Sequence, residues 1–272
     1  MMNLIQITND PALARQCDAL PGLRLMVDLE RLGKAERQAG RNTFISTHQL
    51  EDVGRVKAVL KNSVLMARVN PFNVATKMEV DAVLAQGAGR LMLPMAHTAA
   101  EVRGFAALVA GRAPITVLLE TAQALDTLEA WADTPGLDEI YVGLNDLHLS
   151  LGCRFMFEPL ANGQVDRVAA VARQRGLRFG FGGIARLDEG LLPGRAVLGE
   201  HLRLGSGAVI LSRTFHRSDA AGSLADEVAA LRQAEQALAQ RSAAQVEADR
   251  LRVIDSIESI VAAMSAVAGA RA

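Results

Sequence analysis

From the N-terminus to about residue 216, short apolar runs alternate with stretches of helical periodicity. Such alternation marks repeated βα units around a parallel sheet, because each helical crossover returns the chain to the same sheet edge. Eight runs have strand character: Asn3 to Thr8, Leu23 to Leu29, Val64 to Val69, Leu91 to Met95, Ile115 to Leu119, Glu139 to Leu144, Arg178 to Phe181 and Ala208 to Leu211. Eight strands close a TIM barrel. The expectation is therefore an α/β fold, a (β/α)8 barrel over residues 1–216. Helices are predicted over Pro11 to Leu20, Leu50 to Leu60, Val80 to Gln86, Ala99 to Val109 and Val165 to Arg175. The stretch from Gly33 to His48 stands outside the rhythm and holds a candidate extra strand at Thr43 to Ile45.

Residues 217–272 read as an extended C-terminal helical segment. Leu224, Val228, Leu231 and Leu238, then Leu251, Ile254, Ile257, Val261 and Met264, fall at helical spacing within two blocks. Each makes one apolar stripe that requires burial. The first block can cover the barrel. The polar stretch Gln240 to Arg250 predicts that Leu251 to Val267 projects and packs on a second subunit, giving a homo-oligomer; the alternative is a helix folded back on its own barrel.

Composition removes several function classes. With 29 basic and 30 acidic residues among 272, the chain has no electrostatic footprint for nucleic acid or an anionic membrane. The N-terminal stretch MMNLIQITNDPALARQ lacks a basic region followed by a long apolar one, and no membrane-length apolar run occurs. A cytoplasmic protein is expected. Cys17 and Cys153 are far apart, without metal-ligand spacing, and read as reduced thiols. No G-x-S-x-G elbow, P-loop or dinucleotide fingerprint is present, and the histidines lack zinc-ligand spacing.

Chemistry-bearing residues instead gather where strands end. Ile115 to Leu119 stops at Glu120, and the run to Leu144 stops at Asn145 and Asp146, so a βαβ unit sets two carboxylates on adjacent strand ends. Such a pair suits a hard divalent cation that keeps water ligands for a substrate to replace; the alternative is that each acid caps the helix that follows. The second strand delivers Asp28 and Glu30, the third Arg68 and Asn70, the fourth His97, and the seventh Gly182 and Gly183. Arg68 is a candidate partner for a carboxylate or developing enolate oxygen, or a structural ion-pair partner of Asp28 or Glu30. Gly182 and Gly183 allow backbone N–H groups to approach an anion. His48 is the candidate general base. The lysines, Lys34 among them, sit in polar or helical contexts, which argues against an imine mechanism.

Five segments, VDLERLGK (Val27 to Lys34), RVNP (Arg68 to Pro71), MLPMAHTAAEV (Met92 to Val102), LLETAQAL (Leu118 to Leu125) and GLNDLHLSLG (Gly143 to Gly152), together resemble the HpcH/HpaI aldolase and citrate lyase β-subunit family. The resemblance implies a barrel holding Mg²⁺, or Mn²⁺ or Co²⁺, through Glu120 and Asp146, with substrate bound by Arg68. It implies reversible carbon–carbon cleavage of a 2-oxo acid, with an aldehyde as second partner, through a pyruvate-type enolate. Two departures stand out. Arg31 occupies the place of the aldolase branch's histidine and the citrate lyase branch's acid. Leu118 stands where the aldolase branch has a glutamine. A CoA-thioester lyase and a catalytically silent assembly barrel are the competing readings.

Overall fold

The computed structural model describes residues 1–34, 46–216 and 223–269. The candidate strand Thr43 to Ile45 and the expected domain boundary after residue 216 fall on or beside residues outside that set. Eight parallel strands, β1 (Asn3–Ile7), β2 (Leu23–Asp28), β3 (Leu65–Arg68), β4 (Arg90–Leu93), β5 (Ile115–Leu119), β6 (Leu137–Val142), β7 (Arg178–Ile184) and β8 (Ala208–Leu211), close into a barrel in chain order. This is the TIM-type α/β barrel that the strand rhythm predicts.

Because side chains alternate across a strand, every second residue enters the barrel, and the interior is built in layers. At the N-terminal end Arg24 donates to Glu139 at 2.7 Å, Thr116 Oγ1 donates to the same carboxylate at 2.8 Å, and Arg90 donates to Thr116 at 3.1 Å, all four residues being buried. Above lies an apolar layer of Ile5, Met26, Met66, Met92, Leu118, Tyr141 and Ala208. Two residues further along, the same alternation presents Asp28, Arg68 and Glu120 at the C-terminal mouth. A larger apolar core fills the space between the strands and the surrounding helices.

The tail corrects one expectation. Helices Leu224–Leu238 and Ala243–Gly269 follow the barrel, and the second lies against helices Glu158–Ala161 and Gly194–Leu204 of the same chain, with Val253 and Ile257 buried. It does not project. The polar linker turns back because Arg241 hooks it to the barrel, donating to Gly199 O at 2.9 Å and to Leu238 O at 2.9 Å while pairing with Asp249 at 2.6 Å. Among the described residues no helix is long and apolar enough to cross a membrane.

Candidate active site at the barrel mouth

A cavity of about 300 Å³ opens at the C-terminal ends of the strands. Its floor is Leu118 and Tyr141, its walls include Leu144, Met156 and Ile210, and its polar lining is Arg68, Glu120, Asn145, Asp146, Gly182, Gly183 and Lys34. Tyr141 is fixed there: its hydroxyl donates to Gly182 O and accepts from Ile210 N at 2.8 Å.

Glu120 follows β5 and is buried. Thr121, not Glu120, caps the next helix, accepting from Ala124 N at 3.1 Å and donating to Ala96 O at 2.7 Å. Glu120 is thereby released from capping and turned to the cavity, where Oε1 accepts the Met95 N–H at 2.9 Å. Met95 has φ +50°, a left-handed conformation a side chain rarely adopts, and such strain gathers where a backbone must aim at a site. Gly143 matters for space: a Cβ there would stand 2.8 Å from Glu120 Oε2 and 3.1 Å from Leu118 Cδ1. Burial, then the like charges of Glu30 and Asp146, push the Glu120 carboxyl up to about 8, against the opposing pull of Arg68.

Asp146 differs from expectation in its element. β6 ends at Val142, and Leu144–Ser150 is helical, so Asp146 lies in the first turn of a helix rather than on a strand end. A carboxylate in that turn is favoured by the helix dipole.

Asp28 and Arg68 are register partners on β2 and β3. Their side chains form a bidentate pair, Nε to Oδ1 at 2.8 Å and Nη2 to Oδ2 at 2.7 Å. Glu30 lies 3.5 Å from Arg68 Nη1. Burial alone would raise the Asp28 carboxyl, but the Arg68 guanidinium and then Lys34 outweigh it and hold it well below the usual carboxylate range. Arg68 is therefore an ion-pair partner of Asp28 that also lines the cavity.

His48 is not brought into this cavity. It lines a separate pocket of about 200 Å³ with Arg31, Asn70 and Glu79. Its Nδ1 accepts the Asp28 N–H at 3.1 Å, its backbone carbonyl accepts from Arg31 Nη2 at 2.8 Å, and burial lowers its pKa. The candidate base of the sequence reading thus sits outside the cavity lining, bracing the β2 exit through the Asp28 backbone. His97 is not part of the cavity lining.

Lys34 is the residue that sequence reasoning misplaced. Buried, it lines the cavity and pairs with Asp28 Oδ2 at 3.0 Å and Glu30 Oε2 at 3.3 Å. A turn returns it to the mouth, with the Lys34 N–H on Arg31 O at 3.2 Å and Gly33 at φ +69°. Asn70 holds that turn, its Oδ1 accepting from Arg31 N at 2.9 Å and Leu32 N at 3.0 Å while its amide donates to Glu79 at 2.8 Å. The available signal was Asp28 and Glu30 themselves, two neighbouring acids at a strand exit that burial obliges to find cations.

The donor set fits a hard divalent cation: carboxylate oxygens, no thiolate or imidazole in the lining, and crowded negative charge that holds Glu120 partly protonated. Among the described residues no three His, Cys, Asp or Glu side chains gather as a ready-made metal cage. The protein's share of a coordination shell would be the Glu120–Asp146 pair, leaving positions for water and ligand.

A parallel barrel with a carboxylate-rich mouth and a half-buried guanidinium defines a class of protein suited to small anionic ligands. The chain belongs to the HpcH/HpaI aldolase/citrate lyase family, whose model matches residues 6–178. Solved structures share the fold. An HpcH/HpaI aldolase/citrate lyase family protein from Burkholderia cenocepacia is similar at 21% identity and TM-score 0.57, over 87% of this chain and 93% of that one. The citrate lyase β subunit from M. tuberculosis, complexed with oxaloacetate and magnesium, is similar at 16% identity and TM-score 0.60, over 86% and 97%. Macrophomate synthase is similar at 15% identity and TM-score 0.57, over 86% and 85%. A comparison with curated proteins found no match.

Proposed function

We propose that this protein is a divalent-metal-dependent carbon–carbon lyase, an aldolase-type enzyme that cleaves or joins a 2-oxo acid through its enolate. The observation that carries this reading is the meeting of Glu120, Asp146 and Arg68 in the lining of one cavity. Glu120 and Asp146 would hold the cation, Mg²⁺ or a similar ion, and when bound it would supply Lewis-acid stabilisation of a developing oxyanion. Charge supports this: among the described residues, Asp28, Glu30, Glu120 and Asp146 oppose Arg68 and Lys34 around the mouth, an excess that a divalent cation balances. The neighbouring fold solved with oxaloacetate and magnesium supports the same class of ligand.

Arg68 brings a fixed positive charge that stays in place because Asp28 grips its Nε and Nη2, so little reorganisation is needed as substrate charge grows. The apolar floor and walls exclude water around the reacting carbons. Asn145 and the Gly182–Gly183 backbone supply polar contacts for the rest of the substrate.

The test is calorimetric titration of Mg²⁺ and then of oxalate, a planar mimic of the enolate. Wild type should bind oxalate only with Mg²⁺ present, and Glu120→Gln should abolish Mg²⁺ binding without unfolding the chain. Metal-independent oxalate binding would refute the proposal.

A further inference from the structure

We propose that Lys34 is the catalytic acid of the same site, the group that delivers a proton to the enolate carbon; this rests on the enolate reading above. The cavity narrows the choice. Of its described polar lining, Glu120 and Asp146 are the proposed cation ligands, and Arg68 is locked to Asp28 by two hydrogen bonds and too weak an acid to release a proton. Tyr141, in the floor, spends its hydroxyl proton on Gly182 O and a lone pair on Ile210 N–H. Lys34 remains. Its ammonium has three N–H bonds; Asp28 Oδ2 at 3.0 Å and Glu30 Oε2 at 3.3 Å lie beside two of them, and among the described residues the third faces no further partner and is left to the cavity that the side chain lines.

The two carboxylates hold the nitrogen still, which matters because proton transfer demands close and directed approach. In the step itself one N–H bond of Lys34 breaks and a C–H bond forms at C3, using the C=C electron pair of the enolate. The enolate oxygen becomes a carbonyl oxygen, and the neutral amine left behind regains its proton from water at the cavity mouth. The reverse passage removes a C3 proton from the 2-oxo acid. Asn70, clamped by Glu79 and holding the turn at Arg31 and Leu32, is a positioning residue for this lysine.

The experiment uses the full-length protein with Mg²⁺ and pyruvate in D₂O, following exchange of the methyl protons by ¹H NMR. Wild type is expected to exchange them. Lys34→Arg, which keeps the charge but cannot cycle a proton, and Lys34→Met should both lose exchange by about a hundredfold or more. Mn²⁺ titration and oxalate binding by Lys34→Arg, which keeps the charge beside Asp28 and Glu30, should stay within about threefold of wild type, since neither depends on a proton donor. Wild type treated with pyruvate and borohydride should form no covalent adduct. Exchange by Lys34→Arg at near the wild-type rate would overturn the assignment, as would joint loss of exchange and Mn²⁺ binding in Lys34→Arg, or a reduced pyruvate adduct on Lys34, which would make the lysine an imine former. A wild type that binds oxalate with Mg²⁺ yet exchanges nothing would instead overturn the enolate reading itself, and the acid role with it.

Discussion

Replacing Arg68 by methionine tests how the mouth is held together. The change removes both hydrogen bonds to Asp28, 2.8 and 2.7 Å, and leaves a nearly buried carboxylate whose remaining cation is Lys34 at 3.0 Å. Breaking one partner of a buried ion pair generally costs 3–5 kcal/mol, and the surviving lysine places this case at the lower end, about 3 kcal/mol. That is a little over a hundredfold in the folding equilibrium. Urea denaturation can follow it through Trp131, the single tryptophan, which is buried and donates from Nε1 to Ala124 O at 2.8 Å. The pH dependence carries a sign. Because the native Asp28 carboxyl titrates below its ordinary value near 3.8, the pair stabilises the fold above about pH 4, and that contribution fades as pH falls through the native value. The gap between wild type and Arg68→Met should narrow correspondingly in acid. Adding Asp28→Asn to Arg68→Met should recover about 1–2 kcal/mol by removing the stranded charge. A single variant losing under about 1 kcal/mol, or a double variant less stable than the single, would refute this account.

Three further outcomes follow from the same geometry. Gly143→Ala would push its new Cβ against Glu120 Oε2, 2.8 Å away, and should weaken Mg²⁺ binding at least about tenfold by displacing the ligand while the fold survives overpacking of about 1–3 kcal/mol, as calorimetry beside circular dichroism would read. Since Glu120 titrates near 8, cation binding must release its proton below that pH; Mg²⁺ affinity should climb by close to tenfold per unit between pH 6 and 8 and then level off, with proton release seen in buffers of different ionisation enthalpy. Ile257→Ala removes a buried anchor of the C-terminal helix and should cost about 2–4 kcal/mol, seen first as faster proteolysis of residues 243–269.

The eight strands were legible because each is a short apolar run bounded by polar turns, and the site was partly legible because Asp28, Glu30, Arg68 and Glu120 stand at strand exits. Boundaries slipped where two elements share apolar residues: Leu144 reads as the end of a strand but begins a helix, which moved Asp146 from a sheet edge into a helical turn. His48 falls outside the cavity lining for a different reason. Linear order cannot say which side of β2 a residue approaches after a long excursion, and this one arrives behind the strand, taking the Asp28 N–H. Lys34 failed in the opposite way, because its polar neighbours suggested exposure while a tight turn carried it into the mouth. The tail was legible as helix, but its destination depended on Arg241, whose partners Gly199 and Asp249 lie far away and close by in sequence respectively.

The sandwich inside the barrel has a consequence for how this scaffold can change. An apolar collar that includes three methionines insulates the Arg24–Glu139 lattice at one end from the acids and bases at the other, so neither ionic system needs the other to stay in balance. Residues around the opening can be exchanged for new chemistry while the foundation keeps its charges matched, and damage to the foundation should register as lost cohesion with the selectivity of the opening left intact.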